Sequence, residues 1–283
     1  FNGTGANIIG LQLLARSYHA ILCPETAHIF VDECGSPTKM TGAQVVPIKT
    51  EDGKLSPDLI KPYLQGFGDE HRSQPGVISI SETTELGTIY TPAEIKEIVN
   101  LAHQYGLYVH MDGSRLSNAA ASLGVSLRSL TADCGIDVLS FGGTKNGLMM
   151  GECVIVFNSN YYESARYIRK QSAQLGSKMR FISCQFTSYL TDDLWLKNAQ
   201  HANDMAKLLY SKLVDFPQVR FCQKVESNQL FLIMPRPLID YLHQNYGSFY
   251  VDERTNTIRL VTSFDTTIED VETFIQCVHE FYK

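Results

Sequence analysis

Through roughly the first 160 residues, apolar residues alternate between strand-like and helical spacing, and this alternation leaves few architectures open. Gly5 to Tyr18 reads as a helix with Ile8, Ile9, Leu11, Leu13 and Leu14 on its buried side. Short strands are predicted at Ala20–Cys23, Ile29–Val31 and Val45–Ile48. Ser56-Pro57-Asp58 opens a helix, with Ser at the cap and Pro at the first position. Gly76–Ser81 is the next strand, and Thr91-Pro92-Ala93-Glu94 starts a helix that runs to Tyr105 and stops at Gly106. Strands follow at Leu107–Met111, Ile136–Ser140 and Cys153–Phe157. Strands that alternate with helices predict an α/β fold: a mostly parallel sheet with helices on both faces. Beyond Asn158 the texture changes. Helical stretches at Tyr161–Gln174 and Asp192–Val214 precede strands at Leu230–Met234 and Thr257–Val261 and a last helix at Ile268–Tyr282. This predicts a large α/β unit over 1–185 and a smaller α+β unit over 186–283, without repeats, low-complexity segments or flexible linkers.

Composition narrows the function classes. At 44% hydrophobic and 19% charged, the 283 residues suit a globular protein with a sizeable core. A net charge of −6 gives no basic footprint for nucleic acid. No apolar run approaches the roughly 20 residues that span a bilayer, and Phe1-Asn2-Gly3-Thr4-Gly5 does not resemble a signal peptide. The absence of an initiator Met suggests either a removed leader or a fragment of a longer protein. Cys23, Cys34, Cys134, Cys153, Cys184, Cys222 and Cys277 are odd in number, and none has Cys-x-x-Cys spacing. They read as reduced thiols of a cytoplasmic protein, and no metal site is expected.

Four features carry chemistry. Gly3-Thr4-Gly5-Ala6-Asn7 lies just ahead of a helix, where backbone N–H groups and the Thr4 hydroxyl suit an anion such as phosphate. Asp112, in His110-Met111-Asp112-Gly113-Ser114-Arg115, ends an apolar strand. It either caps a following helix or holds its charge against a pyridinium nitrogen and keeps that ring an electron sink. Lys145 follows another apolar strand among small residues, in Ser140-Phe141-Gly142-Gly143-Thr144-Lys145-Asn146-Gly147. Burial there would favour the neutral amine that attacks an aldehyde. His28, in Pro24-Glu25-Thr26-Ala27-His28, could be a satisfied polar residue or an aromatic ring stacked on a flat cofactor. A phosphate site, a pyridinium partner and an imine lysine are the three attachments that pyridoxal phosphate requires. A nucleotide-binding dehydrogenase is set aside, because Gly3-Thr4-Gly5 is not Gly-x-Gly-x-x-Gly and no strand precedes it.

With these motifs the chain resembles, over essentially its whole length, the threonine aldolase and β-eliminating lyase group of fold-type-I pyridoxal-phosphate enzymes. Asp-Gly-Ser-Arg-Leu and Thr-Lys-Asn-Gly are similar to the low-specificity L-threonine aldolases within it. The resemblance implies that Gly3, Thr4 and Gly5 hold the phosphate and that His28 stacks on the ring. It places Asp112 at the ring nitrogen, Arg115 near the ring hydroxyl and the substrate carboxylate, and Lys145 in the Schiff base with Thr144 beside it. Arg259, in Thr-Ile-Arg-Leu-Val-Thr-Ser, matches the carboxylate-clamping arginine, a guanidinium gripping through two parallel hydrogen bonds. Lys178 or Arg180 lies where the family supplies a basic phosphate contact, often across a dimer interface.

Two departures stand out. Glu85 occupies the position at which many members carry a second active-site histidine; with His28 it is the candidate base. Members also carry further residues ahead of the phosphate loop, which help to build the dimer. The implied activity is cleavage of L-threonine, L-allo-threonine and related β-hydroxy-α-amino acids to glycine and an aldehyde, by a cytoplasmic homodimer or homotetramer. The alternatives are β-elimination on the same cofactor, or a truncated homologue without catalysis.

Overall fold

A computed structural model describes residues 1–283 except Asn245, Gly247 and Ser248, and for 249–251 it describes the backbone alone. In chain order the elements are α1 (Gly3–Leu14), β1 (His19–Pro24), α2 (His28–Val31), α3 (Ser36–Thr41), β2 (Gln44–Ile48), α4 (Pro57–Ile60) and β3 (Gln74–Ser81). There follow α5 (Pro92–Gln104), β4 (Tyr108–Gly113), α6 (Leu116–Leu123), β5 (Val138–Gly142), β6 (Glu152–Val156), α7 (Tyr162–Gln171), α8 (Arg180–Leu190) and α9 (Leu194–Leu213). The remainder comprises β7 (Arg220–Phe221), β8 (Gln229–Ile233), α10 (Arg236–Leu242), β9 (Phe249–Asp252), β10 (Thr257–Val261) and α11 (Ile268–Phe281).

The first six strands form one sheet in the order β2-β1-β3-β4-β5-β6. All pairings are parallel except β5 with β6. Central strands of a doubly covered parallel sheet are apolar on both sides. Val77, Ile78, Ile80, Val109, Met111 and Val138 are accordingly buried. One face packs against α5 and α6 through Ile95, Ile98, Leu116 and Ala120, and the other against α1 through Leu11, Leu13 and Leu14. The last four strands make a second sheet, β7-β8-β10-β9, with its own apolar cluster from α9, α10 and α11. Among the described residues no helix is long and apolar enough to cross a membrane.

Local signals explain most boundaries. Ser56 caps α4, and Thr91 closes a capping box with Glu94 at α5. Other expectations need correction. Ile29–Val31 is not a strand but part of α2, closed by the Asp32 N–H donating to the His28 carbonyl at 2.9 Å. Three apolar residues cannot distinguish the two periods, and only Ile29 turns inward here. α1 stops at Leu14 rather than Tyr18, because Ala15 is extended. α8 was not anticipated: only Ile182 and Tyr189 are buried along it, too sparse a stripe to register in sequence. The expected phosphate loop is itself the first turn of α1, capped by Asn2.

Candidate active site

Parallel strands discharge their following loops at one edge, and a crevice forms there. β1 delivers Glu25 to His28, β3 the loop with Glu85, β4 Asp112 and then Ser114 and Arg115, and β5 the turn bearing Lys145. Two of these approach so closely that a Cβ at Gly142 would lie 2.4 Å from the Ser114 carbonyl oxygen; only glycine fits. From the second sheet come Phe231 and Arg259, register partners on β8 and β10. Together these residues line a cavity of ≈ 660 Å³ that includes His28, Glu85, Asp112, Arg115, Lys145 and Arg259. A separate cavity of ≈ 480 Å³ beside β6, α7 and α8 is mainly apolar and gathers no comparable set of charges.

The charges are arranged in detail. Asp112 belongs to β4 and caps no helix; the residue before α6 is Arg115. Its Oδ1 accepts from the Ser114 N–H at 3.0 Å and the Ser114 hydroxyl at 2.5 Å, and its Oδ2 from Asn7 Nδ2 at 2.8 Å. Burial opposes its ionisation, but Lys145, Ser114 and Asn7 outweigh burial and hold the carboxyl below its ordinary value. The Lys145 pKa also falls, but for an amine that disfavours the charged form. Desolvation and then Arg115 lower its pKa, which favours the free amine. Arg115 is pushed down to about 10 by burial and by Arg259.

Glu85 is partly buried. Its Oε1 accepts from the His28 N–H (2.8 Å) and the Ser81 hydroxyl (2.7 Å). Desolvation, then the charge on Asp112, raises its pKa. Its Oε2, together with Nε of Arg115 and Nε of Arg259, has no hydrogen-bond partner although each atom is buried. Unpaired buried polar atoms are costly. The residues that carry them line one cavity and gather two guanidinium groups and a carboxyl there, a set suited to a ligand with a carboxylate and a proton to exchange. A pyridine aldehyde fits the same set: a depressed-pKa lysine for the aldehyde and a buried carboxylate for the ring nitrogen.

The remaining expected residues lie off this lining. A Cβ on Gly3 would sit 3.9 Å from Ser114 Oγ, so the first turn of α1 borders the crevice. The Gly5 N–H already donates to Asn2 Oδ1 at 2.7 Å. The Thr144 hydroxyl bonds within its own loop, to the N–H and carbonyl of Gly151. Lys178 and Arg180 are exposed, and the Arg180 guanidinium lies 5.3 Å from the centre of the Phe181 ring. Sequence reasoning missed Ser81, Asn7, Glu33 and Phe231. Of these only Asn7, one turn along from Gly3, sat in a motif already singled out. Among the described residues no group of three or more His, Cys, Asp or Glu could hold a metal ion.

A mostly parallel sheet with this crevice, plus a small second sheet that contributes an arginine, is the fold-type-I plan of pyridoxal-phosphate enzymes. The profile of the beta-eliminating lyase family matches residues 1–235. A low specificity L-threonine aldolase of Pseudomonas aeruginosa is 42% identical over 272 residues, covering 96% of this chain and 79% of its own. One from a Pseudomonas species is 42% identical over 267 residues, covering 94% and 77%. Among solved structures, a threonine aldolase of Leishmania major superposes with a TM-score of 0.93 at 31% identity, covering all of this chain and 83% of its own. The chain belongs to the beta-eliminating lyase family.

Proposed function

We propose that this chain is a pyridoxal-phosphate-dependent aldehyde-lyase. It would cleave L-threonine, L-allo-threonine and related β-hydroxy-α-amino acids to glycine and an aldehyde. The observation that carries this reading is the convergence of Lys145, Asp112, Glu85, Arg115 and Arg259 on one cavity, with Nε of both arginines and one oxygen of Glu85 unpaired. The kinship with low specificity L-threonine aldolases points to the same chemistry.

When bound, pyridoxal phosphate supplies an electron sink for the pair released as the Cα–Cβ bond breaks. In this reading Lys145 would hold its aldehyde, Asp112 would pair with the ring nitrogen and His28 would lie against the ring. Gly3, Thr4 and Gly5 at the start of α1 receive the phosphate, with Thr144 and the outlying Arg180 as further contacts. Arg115 and Arg259 would grip the substrate carboxylate and so orient the substrate for cleavage of one bond. Glu85 Oε2 takes the proton of the β-hydroxyl. Its raised pKa suits that role, because a base works best with a pKa near the operating pH. His28 is the second candidate for that proton.

We also propose two structural units, 1–185 and 186–283, supported by the second sheet and its separate apolar cluster. A cytoplasmic homodimer or homotetramer is supported by seven free cysteines and by exposed Met149, Met150 and Phe181 near the Lys145 turn.

The test is the visible absorbance of the protein with pyridoxal phosphate, beside Lys145→Ala. A yellow band in the parent that is lost in the variant, then acetaldehyde and glycine from L-threonine, is the expected result. Ammonia and a keto acid instead would make the chain a β-eliminating lyase. No band in the parent would overturn the cofactor assignment.

A further inference from the structure

Beneath the cavity three elements meet at one amide. Asn7 on α1 donates both hydrogens of its Nδ2, one to Asp112 Oδ2 on β4 (2.8 Å) and one to Glu33 Oε1 after α2 (2.8 Å). The same Glu33 oxygen lies 2.9 Å from His28 Nδ1. Asn7 and Glu33 are 1% and 4% exposed, so water is shut out of the middle of the chain His28–Glu33–Asn7–Asp112, while the His28 ring keeps one side open. Neither residue lines the cavity that His28 and Asp112 face.

The cluster is a poor stabilising device. Glu33 Oε2 and Asn7 Oδ1 are buried with no partner, and apolar side chains of similar volume would leave no such orphans. What the arrangement does is fix geometry. Asn7 holds two carboxylates at set positions, and the Glu33 oxygen it pins receives the imidazole.

We infer that Glu33 and Asn7 are positioning residues of the active site: through one shared amide they fix the His28 ring, its proton on Nδ1 and its Nε2 edge toward the cavity, relative to Asp112. The inference rests on the reading of His28 and Asp112 as the two groups that face the cofactor ring. Which imidazole nitrogen carries the proton is set by what the other side of the ring meets, and here Nδ1 meets an acceptor. Four ionisable groups surround His28. Glu33 comes from the loop after α2, Asp112 from β4 and Lys145 from the turn after β5, while Glu85 from the loop after β3 accepts the His28 backbone N–H. The hydrogen bond to Glu33 raises the imidazole pKa. Burial opposes this, the Glu33 and Asp112 charges add to it, and Lys145 subtracts.

The test is ¹⁵N NMR of the histidine rings in the full chain, with and without pyridoxal phosphate, the His28 signals being those lost in His28→Phe. The neutral ring is expected to carry its proton on Nδ1, with a midpoint above the ordinary imidazole value of about 6.5. In Glu33→Gln, which keeps an acceptor but not the charge, that midpoint falls to or below the ordinary value. Pyridoxal-phosphate affinity by equilibrium dialysis weakens by about tenfold, the scale of one charge-assisted hydrogen bond. A neutral His28 protonated on Nε2 overturns the inference even if Glu33→Gln does not fold. So does a Glu33→Gln protein with the parent's midpoint or the parent's affinity. A parent that never captures the cofactor at Lys145 would sink the proposed function instead, while the cofactor-free spectra still decide whether Glu33 fixes the ring.

Discussion

At the scale of single residues, the site is a contest between burial and charge. Lys145 and Glu85 are both shifted toward neutrality by desolvation, whereas Asp112, the most deeply buried of the three, is held charged by Lys145, Ser114 and Asn7. The Glu85 assignment has a definite pH signature. A base must be ionised to act, and a raised carboxyl stays protonated to higher pH than a water-exposed glutamate. The acid limb of kcat/KM should therefore lie above the ordinary carboxylate range and disappear in Glu85→Gln. That variant should lose about 10²–10⁴ in kcat, the usual yield of one general base, while still turning yellow with pyridoxal phosphate. A Glu85→Gln enzyme that keeps both rate and limb would shift the role to His28. Lys145 and Asp112 stood out in sequence because each ends or follows an apolar strand, where a charge is conspicuous, whereas Arg259 stood out only through the family resemblance. Asn7 and Glu33 were not. An Asn in a helix and a Glu after one are ordinary surface residues until partners 26 and 105 positions away are known.

At the scale of elements, legibility followed the strength of the local signal. α5 announced itself through Thr91-Pro92-Ala93-Glu94, and β10 was bounded correctly at Thr257–Val261. α2, a single turn with one buried residue, could not be told from a strand, and α8 offered only two inward side chains. The element that matters most to the chemistry is the turn carrying Lys145. Its neighbour Asn146 is buried: Nδ2 donates to the Tyr189 hydroxyl at 2.6 Å and to the Trp195 carbonyl at 2.8 Å, and Asn198 Nδ2 donates to its carbonyl at 2.9 Å. The turn is thus tied to α8 and α9, which places the amine. Asn146→Leu would remove the donor to the Trp195 carbonyl and leave the Tyr189 hydroxyl with Ser117 alone. Urea denaturation should show a loss of about 1–3 kcal/mol, and a folded variant should capture pyridoxal phosphate more slowly than the parent. Parent-like stability and capture rate together would mean that other contacts hold the turn.

For the whole molecule, the question is what the second sheet does for a site built mainly by the first. It contributes Arg259 and Phe231, and it also grips the loop that carries Glu85. The Ser227 hydroxyl donates to the Gly87 carbonyl at 3.0 Å, Gln229 Nε2 to Thr83 Oγ1 at 3.2 Å, and the Ile89 N–H to Glu226 Oε2 at 2.9 Å. Gly87, at φ +79°, is pressed against β8: a Cβ there would meet that of Gln229 at 3.2 Å. Inside the loop, Thr84 and Thr88 join through their hydroxyls at 2.7 Å. The loop is therefore stiff within itself and fastened from outside, so Glu85 and Arg259 should move as one body. On the proposed roles, the two sheets would divide the labour: the first would hold the cofactor, and the second would set the base and the substrate. Ser227→Ala tests this division, because it leaves the Gly87 carbonyl buried without its donor and touches nothing in the cavity. The expected result is a several-fold lower kcat, a modest loss of stability on the order of 1–3 kcal/mol, and an unchanged yellow band on titration with pyridoxal phosphate. If cofactor capture falls in step with kcat, the second sheet supports the fold as a whole and the division of labour is wrong.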